Sequence, residues 1–449
     1  MKTHRYLAAA AAFVTLSTVA SAQQAQPVER ITFQQAIEIA LKQNVAVLTA
    51  ENQIETSRLN IQSVRSTMYP TFGFSVGGNN SIGKSFDQNT ATLITKMNQS
   101  ANTGVNTNFT LLDFGRGLDI ASAKSNLAAS EAELFRRKQT TVYTVATQFV
   151  TYAAARSQID VQKENLGALQ LQEAQVQRFA DAGAKPISDL YSIKSQVATT
   201  QLALVNAENS AENAKFALMQ TLQLDATRDY DFVRPDVPQS VTAVSYNLDS
   251  LTRIAYGRRR DVAAAQQRLE AAQYTTRANA RSRWSSVNVN AQYGTSGRFN
   301  QPVTLGNQFE QNRSGSIGTS IGVNIFDRGL TRIQRSRDAI AAENAQLVLA
   351  STRQQVALDV RTAWYNIRSA QQRLVAAQAG LVAATQALEA MQQRYNVGAA
   401  TLLEVSQLRA QKVNAQSNLA DAQYNYVLNT AAMAYFTGEL DPNGTNLIR

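Results

Sequence analysis

The chain has 449 residues, with 43 Lys+Arg against 33 Asp+Glu, one His and no Cys. Its charged fraction of 17% is low for a soluble domain, while its 44% apolar content is ordinary. Without cysteine there are no disulfides, thiolate metal sites, Cys nucleophiles or lipid-bearing N-terminal Cys. The sole histidine, His4, lies in a segment read below as cleaved, so a mature chain lacks Ser-His-Asp and Cys-His chemistry and an ordinary zinc site.

Residues 1–22 read as a secretory signal. Lys2 and Arg5 form a basic start, Leu7 to Val19 an apolar stretch, and Ala20-Ser21-Ala22 a small-residue cleavage site. The stretch is too short for a good membrane-spanning helix, and no comparable apolar run is read after it. The mature chain is therefore expected to be exported without a spanning helix; the alternative is a retained N-terminal anchor.

The sequence then repeats itself at a distance of about 215 residues. Phe109-Thr110-Leu111-Leu112-Asp113-Phe114-Gly115 returns as Val323-Asn324-Ile325-Phe326-Asp327-Arg328-Gly329, Ala182-Gly183-Ala184 as Val397-Gly398-Ala399, and Thr32-Phe33 as Asn247-Leu248. Residues 31–225 and 246–437 read as two copies of one unit, separated by a linker at 226–245 and followed by a tail at 438–449. Pro235 and Pro238 in the linker break helices, by ring clash and a missing N–H.

Each copy reads as a short helix, a medium helix, two strands, a very long helix, a glycine turn and a final helix. Val360, Ile367, Leu374, Leu381, Leu388 and Tyr395 recur at heptad spacing, with Ala370, Ala377, Ala384 and Met391 between them; this is a coiled-coil seam. Leu190, Val197, Leu204, Ala211 and Leu218 do the same in the first copy. The long segments, 118–182 and 330–396, would each measure roughly 100 Å, against about 54 Å for the returning helix and about 30 Å for the medium one. Two shorter helices are therefore expected to stack end to end beside one long helix, in a column too tall for a bilayer.

Four segments alternate with period two and are expected as strands near 71–82, 103–112, 287–296 and 314–326. Phe72, Phe74 and Val76 oppose Gly73, Ser75 and Gly77, and Val105, Thr107 and Phe109 oppose Asn106 and Asn108. Val287, Val289 and Tyr293 oppose Asn288, Asn290 and Gln292, while Ile317, Ile321 and Ile325 oppose Ser316, Ser320 and Asn324. This length and alternation suit a tilted transmembrane β-strand. The Asn-, Gly-, Ser- and Gln-rich stretches 78–102 and 297–313 are expected as exposed hairpin tips. Four strands leave two open edges that lipid does not tolerate, and the smallest usual barrel has eight strands, so several chains must share one barrel.

These residues resemble the outer membrane factor (TolC) family. The most specific matches are Gln392-Gln393-Arg394-Tyr395-Asn396-Val397-Gly398 with Leu402-Leu403-Glu404-Val405, then Ala422-Gln423-Tyr424-Asn425-Tyr426, Ile325-Phe326-Asp327-Arg328-Gly329 and the opening pattern Ile31 to Asn44. The resemblance implies a mainly α fold with transmembrane β: an internally duplicated chain, a trimeric 12-stranded outer-membrane β-barrel, and a periplasmic α-helical barrel of long coiled-coil helices. It also implies a homotrimer docked to a periplasmic adaptor (membrane fusion) protein, itself bound to an inner-membrane pump. Ala182, Gly183, Ala184, Val397, Gly398 and Ala399 become the adaptor-docking tip, although both glycines also read simply as helix C-caps. Asp189, Tyr395 and Glu404 become the gate and cation-selective tip. Ala400 stands where the family has an Arg and Gln407 where it has a second carboxylate, with Lys185 a nearby charge; Asp189 and Glu404 equally suit helix N-termini. Ser285 departs from the pattern of Pro70, which precedes the first strand.

Other signals point elsewhere. Gly78 to Ser85 fits the Walker A pattern, but no helix pattern follows to receive a phosphate. Arg258-Arg259-Arg260 and the string Arg328, Arg332, Arg335 and Arg337 suggest nucleic acid by charge alone; export argues against it, and the second string suits anionic outer-membrane lipid. Trp284 belongs to an interfacial belt or packs on a helix. The expected function is an outer-membrane channel of a tripartite efflux or type I secretion system, conducting passively, neither an enzyme nor a nucleic-acid binder and without cofactor. The alternative is a periplasmic coiled-coil adaptor or spacer without a pore.

Overall fold

The computed structural model describes residues 29–87, 91–234, 247–281, 286–299, 301–323 and 325–444. The expected signal segment, Pro235 and Pro238, Trp284 and Ser285, Asn324 and residues 445–449 lie outside the described residues.

The first half runs β1 (Glu29–Ile31), α1 (Phe33–Gln43), α2 (Val45–Ser66), β2 (Thr71–Asp87), β3 (Thr92–Leu112), α3 (Arg116–Asp181) and α4 (Ile187–Leu222). After β4 (Tyr230–Phe232) come α5 (Leu248–Arg258), α6 (Arg260–Arg281), β5 (Ser286–Arg298), α7 (Leu305–Gln311), β6 (Ser314–Gly322), α8 (Leu330–Asn396) and α9 (Leu402–Thr437). The paired helices match in length: 11 residues in α1 and α5, 22 in α2 and α6, 66 and 67 in α3 and α8, and 36 in α4 and α9.

Short-range hydrogen bonds fix these boundaries. Thr32 and Gln35 close a capping box at the head of α1, and Asn247 accepts from the N–H groups of Asp249 and Ser250 at the head of α5; both satisfy orphan donors of a first turn. A single extended residue, Asn44 (ψ 124°) or Arg259 (ψ 121°), then separates the short helix from the medium one. The recurring Asp-x-Gly is a helix-entry device. Asp113 accepts from the N–H of Gly115 (2.8 Å), and Asp327 accepts from those of Gly329 (2.9 Å) and Thr331 (2.8 Å).

α2 and α4 both lie along α3, while α6 and α9 lie between α3 and α8. Asn44 at the head of α2 donates its Nδ2 to the carbonyl of Thr221 at the foot of α4 (3.1 Å), so the two short helices meet end to end beside the long one. The heptad residues Val360, Ile367, Leu374, Leu388 and Tyr395 are buried, as are Leu190, Ala211 and Leu218. The largest apolar cluster joins Ile37, Val145, Phe149, Leu218 and Leu222 with Tyr230, Phe232 and Leu440. β1 and β4 close it as a parallel pair. That pair was not foreseen, since three residues are too few to show a period.

One expectation about membrane helices needs correction. A stretch of α8 is long and apolar enough to cross a membrane by length and composition. One side of it packs on α9 through Ala370 and Leu374, while Val375 and Val382 stand exposed on another.

The sheet runs β2-β3-β5-β6, antiparallel throughout, with β3 and β5 from opposite halves paired at its centre. The first hairpin exceeds expectation. Its ladder is unbroken from Thr71↔Asn108 to Asp87↔Thr92, through most of the stretch expected as a loop. Asn, Ser and Gly are poor strand formers, but a continuous partner outweighs that weak preference. The Walker-like residues 78–85 are thus all strand, with no phosphate-cradling turn. α7 occupies the second connection, and β6 stops at Gly322, short of the expected 326, because Asp327 already organises the entry to α8.

Candidate functional site

Two regions hold the candidate site residues: the sheet at one end of the long helices and the two glycine turns at the other. The ladder registers put Phe72, Phe74 and Val76 on one face with Val105, Phe109, Val289, Tyr293, Ile317 and Ile321. Gly73 and Ser75 share the other face with Asn106, Asn108, Asn288, Asn290, Gln292, Ser316 and Ser320. One face is therefore apolar and the other polar across all four strands. Phe72, Phe74 and Ile317 are each more than 70% exposed, an arrangement suited to lipid outside and water inside. β2 and β6 are the open edges.

At the opposite end, α3 turns into α4 and α8 into α9 through the same motif. The N–H of Ala184 bonds to the carbonyl of Phe179 (2.8 Å) and that of Gly183 to Ala180 (3.0 Å). Likewise Ala399 bonds to Arg394 (2.8 Å) and Gly398 to Tyr395 (3.0 Å). These are Schellman closures with glycine in the left-handed region, φ 69° at Gly183 and 80° at Gly398. Ala182 and Val397 are the C-caps. All six predicted tip residues are exposed, Val397 at 80%.

Tyr395 is buried with Leu388, Leu402 and Val405, and Ala400 packs on the same cluster. Its hydroxyl has no hydrogen-bond partner among the described residues. Burial pushes the Tyr395 phenol up, and the charge of Asp189 adds to the rise. Asp189, in the first turn of α4, thus lies near Tyr395 without being hydrogen-bonded to that hydroxyl. At the tips, Lys185 reaches from one hairpin to the other, its ammonium 4.4 Å from the centre of the Tyr395 ring. Glu404 accepts from the N–H (2.7 Å) and hydroxyl (2.8 Å) of Thr401, closing a capping box on α9. The Thr401 hydrogen bonds, with the charge of Arg394, hold its carboxyl below the ordinary range, so it stays ionised.

The profile of the outer membrane efflux protein family matches this sequence twice, at residues 36–222 and 251–439. The chain belongs to that family. TolC of Escherichia coli (strain K12) is 23% identical over 317 residues, 68% of this chain; the match spans only 62% of that relative's length. TolC of Vibrio cholerae is 21% identical over 432 residues, 95% of this chain and 93% of the relative. In fold, the chain is similar to the crystal structure of VceC from Vibrio cholerae, with a TM-score of 0.76 at 20% identity, covering 90% of this chain and 96% of that one.

For a member of the outer membrane efflux protein family, the basic runs take on structural meaning. Arg258 pairs with Glu439 (2.5 Å), and Arg260 stacks over the ring of Phe135 (4.9 Å to its centre). Arg259, 5% exposed, binds Asp261 (2.5 Å) and Asp359 (2.7 Å). Arg335 donates to the carbonyl of Ala280 (3.2 Å), while Arg328, Arg332 and Arg337 are exposed. The reading by residue type missed the Arg259 network; the carboxylate two residues on, Asp261, was its only local sign.

Proposed function

We propose that three copies of this chain form one exit duct of a tripartite efflux or type I secretion system. They pool four strands each into a 12-stranded barrel in the outer membrane, and their long helices continue it as a tunnel into the periplasm. An inner-membrane pump supplies the energy, a periplasmic adaptor joins the pump to the duct, and transport through the duct is passive. The observation that carries this reading is the sheet: four strands sorted into an apolar and a polar face, with both edges unpaired. An unpaired edge in hydrocarbon leaves N–H and C=O groups without water, and pairing β6 of one chain with β2 of the next removes every edge. Exposed Val323, Ile325 and Phe326, with Arg328, Arg332 and Arg337 close by, suit the boundary between lipid tails and anionic head groups.

In this reading the tip turns Ala182-Gly183-Ala184 and Val397-Gly398-Ala399 receive the adaptor. Tyr395, Asp189 and Lys185 hold the two hairpins together as a gate. Lys185 stacked on the Tyr395 ring takes the part of the arginine that Ala400 replaces. Three ionised Glu404 carboxylates near the axis would favour cations. The test is conductance of the purified protein in planar bilayers, with native mass measured in detergent. Step-like openings from a particle three times the chain mass are expected. A lone subunit that stays in water without detergent overturns the duct and leaves the periplasmic coiled-coil spacer.

A further inference from the structure

α9 carries a cation buried without a counter-charge. Arg409 is 7% exposed, and its Nη1 has no hydrogen-bond partner. It lines an open cleft of about 280 Å³ between α3, α8 and α9. On α3, Asn165 Oδ1 is also buried without a partner among the described residues, but as an acceptor it takes no part in holding an anion. Two other charged side chains line the same space, Glu164 and Lys412. They already serve each other: Lys412 Nζ lies 3.5 Å from Glu164, which also accepts from Gln416 (3.2 Å). The lining therefore holds two cations against one carboxylate, and the surplus charge is Arg409.

A guanidinium cannot shed its proton to escape this position. Burial disfavours the charge and pushes Arg409 down from its ordinary value. Burying such a charge unpaired is among the costliest arrangements a protein interior can hold. The amides of Gln175 and Gln392 line the same walls and offer donors, while that of Gln416 is engaged with Glu164. A positive, donor-lined pocket with an unspent guanidinium is a receptor for an anion with oxygen ligands, which a planar fork of N–H groups matches well.

We propose that this cavity binds a small oxyanion or carboxylate, with Arg409 as the principal donor. The cavity walls belong to α3 in the first half and to α8 and α9 in the second, so the ligand joins the two hairpin columns from within, several turns above their tips. An occupied site gives Arg409 a counter-charge between α3 and α9; an empty one leaves the guanidinium unmet and the columns easier to part.

The test uses the full chain in detergent, with sodium sulfate as probe and sodium chloride added to keep ionic strength constant. The thermal midpoint of the natural protein is expected to rise and saturate with sulfate. Arg409→Gln abolishes the rise, and Arg409→Lys keeps a weaker one, which separates loss of the site from loss of folding. Glu164→Gln removes the competing negative charge and lowers the half-saturating sulfate concentration about fivefold. Equal sulfate responses in the natural protein and Arg409→Gln overturn the proposal. So does a flat response in the natural protein with a saturable one in Glu164→Gln, since Glu164 would then be supplying the missing charge from inside the chain.

Discussion

Asn44 and Arg259 hold the same place in the two halves, the one extended residue between an 11-residue helix and a 22-residue helix. Asn44 does its work with neutral hydrogen bonds, capping α2 through the N–H of Ala46 and reaching Thr221. Arg259 instead sits at the centre of a buried ionic network with Asp261 and Asp359, to which Arg136 adds a second cation 4.0 Å from Asp261. The tips differ in the same way. α4 starts at Pro186 with no side-chain cap, whereas α9 starts with the Thr401–Glu404 box. Equal geometry has been reached through unequal chemistry, so the halves should fail differently.

The largest expected difference lies at the junctions. Arg259→Ala removes the hydrogen-bonding cation from Asp261 and Asp359 at a partly buried site, leaving only the more distant Arg136, and should cost about 3 kcal/mol. Asn44→Ala removes one cap and one carbonyl contact and should cost about 1 kcal/mol. Thermal midpoints of the two variants measure the gap; equal losses would break the comparison. The network also gives the second half an acid-sensitive contribution. Burial alone would raise the Asp261 carboxyl, but hydrogen bonds from Arg259, with the charges of Arg259 and Arg136, outweigh it and hold it below the ordinary range. A lowered native value stabilises the fold above the unfolded aspartate range, near pH 4. That contribution is lost as pH falls from there through the native value. Melting as a function of pH should show this slope, and Asp261→Asn should flatten it.

Smaller effects sharpen the comparison at the tips. Gly183→Ala and Gly398→Ala each force a side chain into left-handed backbone and should cost about 1–2 kcal/mol, equally in both halves because the two closures are alike. Thr401→Ala should cost about 1 kcal/mol by opening the capping box, with no counterpart at Pro186. Lys185→Gln removes the stack on Tyr395, worth about 0.5–1 kcal/mol. Its expected readout is more frequent opening in planar bilayers, with the melting temperature nearly unchanged.

The helical half of this architecture was open to reading because it is written at long range and in one period. Val360 to Tyr395 keep the same heptad phase for ten turns, and Gly183 and Gly398 mark the reversals. The strands were legible as faces but not as lengths. Phe72 to Val76 alternate clearly, whereas residues 78–87 have turn-like composition and are strand only because residues 92–101 pair with them. A partner across a ladder leaves little trace in local propensity. The two tip turns were legible through repetition, yet the contact Lys185 makes with Tyr395 depends on how two distant hairpins lean together. Arg409 was invisible for the same reason, since an arginine on a polar helix announces nothing until its surroundings close over it.

The central seam of the sheet, where β3 of one half meets β5 of the other, has a consequence for how such a wall is put together. The strand leaving the first half lies beside the strand entering the second. Joining β6 to the β2 of another molecule repeats that neighbour relation. A closed ring would then consist of six near-equivalent staves, in which the peptide link between halves merely fixes which staves travel in pairs.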